Sequence, residues 1–262
     1  MRPMGLKKDR KGQFIIIATL LIAIMIISLA SIMYGAITYF RHERWEEYLA
    51  VIDAVRTNSH RMVEISLANY TLTGNQAVLK SNLEKWQRDL LETYAGLRIG
   101  LESNLINGTQ DIYGMAVQYN MSLAKDWNKQ VSFSAANVTF DLNLTSVGLY
   151  GYKFITPVFL KMDIIDALYF GSSNEVGVRL IVQREDLIPI NDLEAANFIE
   201  FQVDGENKTF AFNQYFDIET LNAFVYELRY SSQTQPSSIT TTVSAVDSRG
   251  IKVEGNATLN VT

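Results

Sequence analysis

The chain has 262 residues, 48% of them hydrophobic and 19% charged, with a formal net charge of −5. That is apolar enough for a packed core and excludes a largely disordered chain, and the acidic balance with no basic patch in the soluble part excludes a typical nucleic-acid binder. There is no cysteine, so disulfides, thiolate catalysis, Cys-based zinc sites and iron–sulfur clusters are excluded and a folded domain rests on its core alone.

The first element in chain order is an uncharged run from Phe14 to Phe40. At about 1.5 Å per residue it reaches roughly 40 Å as a helix, more than the ~30 Å hydrocarbon core of a bilayer. Arg2, Lys7, Lys8, Arg10 and Lys11 precede it against Asp9, whereas Arg41, His42, Glu43, Arg44, Glu46 and Glu47 nearly balance after it. The excess of basic charge predicts a cytoplasmic N-terminus and an extracellular C-terminus in a single-pass protein of the cell membrane. The run is too long for the apolar part of a cleaved secretory signal.

The residues leading into it read Lys7-Lys8-Asp9-Arg10-Lys11-Gly12-Gln13, then Phe14-Ile15-Ile16-Ile17. This resembles the class III signal peptide of archaeal type IV pilins and related filament subunits. The resemblance implies cleavage by a prepilin peptidase between Gly12 and Gln13, with the helix left attached. A retained helix can move from lipid into a bundle of like helices without leaving backbone groups unpaired. The fifth mature position is Ile17, where bacterial type IV pilins carry Glu, a departure that fits the archaeal type.

Beyond the run, Trp45, Tyr48, Leu49, Ile52, Val55, Met62 and Ile65 keep helical spacing to about Ala68, and Thr73-Gly74-Asn75 breaks it. A second amphipathic helix is expected from Gln76 to Ile106, ended by Asn107-Gly108, and a shorter one from Gln110 to Trp127. Near Val131 the period changes to two: Val138, Phe140, Leu142 and Leu144 alternate with polar residues. Strands are expected at 150–155, 158–165, 176–183, 199–203, 209–212, 223–230, 239–246, 251–254 and 257–261, with Asp204-Gly205-Glu206-Asn207 and Asp247-Ser248-Arg249-Gly250 as turns. The predicted fold is α+β: a basic leader (1–13), a transmembrane helix (14–40), an extracellular helical stalk (41–129) and a β-sandwich (130–262), immunoglobulin-like or pilin-type.

Asn-x-Ser/Thr triplets begin at Asn69, Asn107, Asn120, Asn137, Asn143, Asn207, Asn256 and Asn260, eight of 18 asparagines. With Ser plus Thr near 14% of residues, chance gives about two or three, and all eight follow the apolar run, as glycosylation sites on a translocated surface would. The only histidines, His42 and His60, are about 27 Å apart on a continuous helix and cannot share a metal. Glu185-Asp186 and Asp163/Asp166 are the carboxylate pairs that a glycosidase would need, but they read as turns and strand ends. Tyr150, Tyr152 and Phe154 form an aromatic stripe that reads as sandwich core, or as an exposed platform for sugars or a neighbouring subunit. No enzymatic centre, cofactor or metal site is expected. The expected partners are the membrane, copies of the chain or other pilin-like subunits, and prepilin peptidase, with no nucleic acid. Two further readings stay open: a membrane-anchored adhesion or binding module that does not polymerise, and the ectodomain of a sensor or larger complex.

Overall fold

No proline interrupts the sequence between Pro3 and Pro157, and one helix, α1, runs Arg10–Thr73. The computed structural model describes residues 10–93, 115–144, 149–218 and 221–262. The chain divides within α1 into two units, one through Val55 and one from Arg56 onward. α1 ends where expected: Gly74 takes φ +74° and its N–H returns to Tyr70 O at 2.8 Å, the left-handed cap that glycine adopts without penalty.

In the second unit, residues 56–73 of α1 bury Val63, Leu67, Ala68 and Tyr70. α2 (Ala77–Thr93) buries Leu79, Leu83, Trp86 and Leu90 at helical spacing. Asn75 Oδ1 accepts the Ala77 N–H (3.0 Å), which starts α2, and Asn82 Nδ2 donates to Ser66 Oγ (3.0 Å), which ties the two helices together. The rest of the helix expected to Ile106, with its Asn107-Gly108 stop, lies outside the described residues.

Ten strands follow among the described residues: β1 (Met115–Asp126), β2 (Val131–Leu144), β3 (Leu149–Phe170), β4 (Glu175–Gln183), β5 (Phe198–Val203), β6 (Glu206–Asn207), β7 (Ala211–Asp217), β8 (Ala223–Ser231), β9 (Ser238–Val246) and β10 (Lys252–Asn260). They form two antiparallel sheets in a sandwich-like α+β arrangement, ordered β1-β2-β3-β4-β8-β7 and β10-β9-β5-β6. The helix expected over 110–127 is corrected here, because Met115–Asp126 is a strand paired with β2 from Met115↔Leu144 to Asp126↔Phe133. Val117, Tyr119, Met121 and Leu123 alternate with Gln118, Asn120 and Ser122. This period of two was hidden by the helical spacing of the same residues, and pairing with β2 decides it. Asn128, at φ 61°, turns the chain between β1 and β2.

The strands expected at 150–155 and 158–165 are one, β3, interrupted only in the sequence by Pro157. β4 pairs with β3 only from Lys161 onward, so Pro157 lies where one side of β3 has no strand and a missing N–H is tolerated. On that side Phe159 N–H donates to Glu185 Oε1 (2.8 Å) and Phe159 O accepts from Arg249 Nη2 (3.0 Å). Two side chains thus take the place of a neighbouring strand. A register shift between Ile164 and Asp166 moves the buried positions of β3 from Met162 and Ile164 to Ala167.

Facing β2 and β3, β10 presents Gly255. A Cβ there would meet Met162 Cε at 2.9 Å and Ile164 Cδ1 at 3.0 Å. The missing side chain leaves room for Met162 and Ile164 at this point of the contact between the sheets. The C-terminal residues join the contact: Thr262 N–H donates to Ala167 O (3.1 Å) and Tyr169 N–H to Thr262 O (2.9 Å). Tyr226 in β8 donates its hydroxyl to Ile190 O (2.7 Å), which pins the segment between β4 and β5, and burial pushes its pKa up to about 12. Gly255→Val is expected to lower stability by about 1–3 kcal/mol through overpacking, whereas Thr258→Val, at an exposed position of the same strand, should change it little. Thermal unfolding of the full chain in detergent checks both.

Candidate functional site: the apolar helix and the β-sheet surface

Ile15–Thr38 of α1 is long and apolar enough to cross a membrane, and none of it is buried among the described residues. Fifteen large apolar side chains from Ile15 to Ile37 are more than half exposed, among them Ile27 at 69% and Met25 at 71%. Covering each would stabilise by about 1.5–3 kcal/mol, so leaving all of them in water costs tens of kcal/mol, more than a typical domain's net stability. The hydroxyls of Thr19 and Thr38 donate back to helix carbonyls, Ile15 O and Ile16 O (2.9 and 3.0 Å) and Tyr34 O (2.8 Å). Neither asks for a polar partner outside the helix. Gly12 and Gln13 lie in the first turns of α1. Arg2, Lys7, Lys8 and Asp9 lie outside the described residues, as does the side chain of His42.

Several of the residues weighed for chemistry are engaged in hydrogen bonds and ion pairs. Asp247, with no exposed side-chain surface, sits in the β9–β10 turn. Its Oδ1 accepts the N–H groups of Arg249 and Ile251 (both 3.0 Å), and its Oδ2 accepts from Arg249 Nε (2.7 Å) and Arg184 Nε (3.3 Å). Arg249 also reaches Glu185 Oε1 (2.7 Å) and Glu64 Oε1 (3.6 Å). Burial works to raise the Glu185 pKa, but the hydrogen bonds from Arg249 and the Phe159 N–H outweigh it and hold the carboxyl below its ordinary range. Asp166 is clasped by both Nε (2.6 Å) and Nη2 of Arg179. The Asp166 carboxylate is thereby tied into an ion pair with Arg179. The side chain of Asp186 lies outside the described residues. Asp204 and Gly205, at φ 50° and 81°, form the tight β5–β6 turn, and Asp204 Oδ1 accepts the Thr240 N–H at 2.9 Å. His60 faces Glu64 at 3.4 Å. Among the described residues no group of three or more His, Cys, Asp or Glu could hold a metal ion.

The aromatic stripe divides along its length. Phe154 is buried and stacks on Phe140 (centroids 5.0 Å), which meets Trp86 of α2 (5.6 Å), whereas Tyr150 is 67% exposed. Of the triplet asparagines, Asn69, Asn120, Asn137, Asn207 and Asn260 are exposed. Asn143 and Asn256 are half-buried and engaged: Asn143 Oδ1 accepts the Gly151 N–H (2.6 Å) and Asn256 Nδ2 donates to Thr242 Oγ1 (2.8 Å). Asn107 lies outside the described residues. Sequence reasoning missed the joint role of Glu185 and Arg249, whose signal was only a charged pair 64 residues apart.

Arg249→Met would leave Asp247 buried with few cationic partners and is expected to cost about 3–5 kcal/mol. Because the Glu185 carboxyl is lowered in the fold, its contribution is complete above the ordinary glutamate value of 4.5 and is lost as pH falls through the lower folded value. The melting temperature of the wild type should therefore drop more steeply below that value than that of Arg249→Met. No family model, no curated protein and no solved structure matches this chain.

Proposed function

We propose that the chain is an archaeal cell-surface subunit of the type IV pilin kind, which polymerises through its N-terminal helix and displays a glycosylated β-domain of pilin or immunoglobulin-like type. The observation that carries the proposal is the uncovered, uncharged helix Ile15–Thr38, immediately preceded by the basic stretch that ends in Gly12-Gln13. Such a helix needs an apolar environment, and lipid or a bundle of like helices supplies one equally well. In this reading prepilin peptidase removes residues 1–12, and Gln13 starts the mature subunit. The protein acts as a structural element, not an enzyme, and uses no cofactor.

The layer formed by α2 and the end of α1 over the sheet favours a second reading. It is a larger membrane-proximal helical element than the simple pilin plan requires, and it suits an anchored adhesion or binding module that does not polymerise. A substitution separates the two. Gly12→Trp should block cleavage, leave the leader on the chain and abolish surface filaments, while Gly12→Ala, still small, should be processed. Normal filaments from Gly12→Trp cells would overturn the pilin reading.

A further inference from the structure

The six-stranded sheet ends on β7. Its pairing with β8 runs from Ala211↔Arg229 to Asp217↔Ala223 without a register shift, so no bulge turns it away. It contains no proline, lysine or arginine. None of its seven residues is buried, whereas β8 beside it buries Val225, Tyr226, Leu228 and Tyr230. Among the described residues no backbone bond from outside β8 reaches it. The outer side of β10 differs: Asn128 N–H donates to Glu254 O (3.1 Å), Asn256 N–H to Lys129 O (3.0 Å) and Thr262 N–H to Ala167 O (3.1 Å). An end strand that lacks such cover, and lacks the charges and prolines that blunt an edge, offers its backbone donors and acceptors to another strand.

The residues of β7 suit one partner, a second copy of the same strand. Antiparallel pairing about a two-fold axis at Gln214 sets Gln214 against Gln214, Asn213 against Tyr215, Phe212 against Phe216 and Ala211 against Asp217. Within one chain Phe212 stacks on Tyr226 (centroids 6.1 Å) and Phe216 meets Phe224 edge-on (5.0 Å). Pairing carries this aromatic row from one copy into the next and covers Phe216, which is 44% exposed; cross-strand aromatic pairs stabilise a sheet. The one charge of β7 is Asp217. Its carboxylate lies 3.7 Å from Arg179 of β4, so it is drawn back over β8 and not across the edge. In the two-fold register Asp217 faces Ala211 of the second copy, and the next residue in that row is Arg229, two strand spacings or about 10 Å away. No like charges meet.

We propose that β7 pairs antiparallel with β7 of a second copy of the chain and joins the two six-stranded sheets into one continuous sheet. A strand pair of this length, roughly 24 Å, is smaller than the ~1,600 Å² interface of a typical stable complex. It therefore acts between chains already held close together, as two chains anchored in one membrane are, where the effective concentration is high. The contact is two-fold and closes on itself, whereas subunits that polymerise repeat head to tail along a filament. The inference thus goes beyond the proposed function and holds for an anchored chain that does not polymerise.

The test uses the full chain in lipid vesicles at low surface density, where the absence of cysteine leaves no background thiol. Under mild oxidation Gln214→Cys should form a covalent dimer, while Thr258→Cys, exposed on β10, should stay monomeric. Charge then tests the register without a disulfide. Chains carrying donor and acceptor dyes at Thr258→Cys should show energy transfer. Adding Gln214→Lys alone, or Gln214→Glu alone, sets like charges against each other at the two-fold axis and should abolish that transfer. A mixture of the two charged variants should regain it, which also shows that both fold. Gln214→Cys no more dimeric than Thr258→Cys, transfer that survives in either charged variant alone, or a mixture that fails to recover would overturn the proposal. The first of these is also the result expected if β7 receives a strand from a different protein.

Discussion

The hydrophobic effect acting on 24 consecutive residues sets the surroundings that the first part of this molecule requires. Ile15–Thr38 carries no charge and is covered by nothing among the described residues. Water is an unsuitable surrounding for such a surface, because its cost exceeds what a domain's own folding provides. Lipid or other apolar helices are the surroundings that suit a helix of this length and composition. The backbone satisfies itself along the helix, and Thr19 and Thr38 turn their hydroxyls back to it. Either environment can accept the segment without change, which is the property that the filament proposal requires of it.

The unit from Arg56 onward solves a different problem, that of holding two sheets and two helices together without a disulfide. Small contacts between long elements do this. Gly255 lets β10 lie against Met162 and Ile164, and the last residues bond to Ala167 and Tyr169. The turn after β9 carries Arg249, which satisfies the exposed backbone of β3, the buried Asp247 and two glutamates together. Lys252 N–H reaches Thr71 Oγ1 of α1 at 3.1 Å, so the β9–β10 hairpin is bound to helix and sheet alike. A charge network of this kind contributes less by attraction than it would cost if one member were lost.

Much of this could be read in the sequence, and the failures have physical causes. The uncharged run, the break at Gly74, β4, β5, β8 and β9 follow from period and turn chemistry, as do the Asp204-Gly205 and Asp247–Gly250 turns; but Glu206-Asn207, expected within a turn, pair as β6, β7 runs over Ala211–Asp217 and not 209–212, and the two strands expected at 251–254 and 257–261 are the single β10. β1 could not be read because its apolar residues fit both periods, and only its register with β2 decides between them. The continuity of β3 through Pro157 depends on β4 starting later, at Lys161, a fact of topology that no local pattern contains. The same holds for Glu185 and Arg249: as sequence they are a turn carboxylate and a turn cation, and only the fold sets them on the same backbone of β3. The triplet asparagines were visible, but which of them stand exposed and which, like Asn143 and Asn256, are engaged required the fold.

The central claim is that the basic leader is removed at Gly12-Gln13 and the helix retained for assembly. The most direct measurement is the N-terminus of the protein, determined by mass spectrometry in native membranes and in material sheared from the cell surface. A chain beginning at Gln13 and present in the sheared fraction is the result expected of a processed filament subunit. A chain beginning at Met1 or Arg2 and confined to the membrane fraction would contradict that account and leave an anchored binding module in its place.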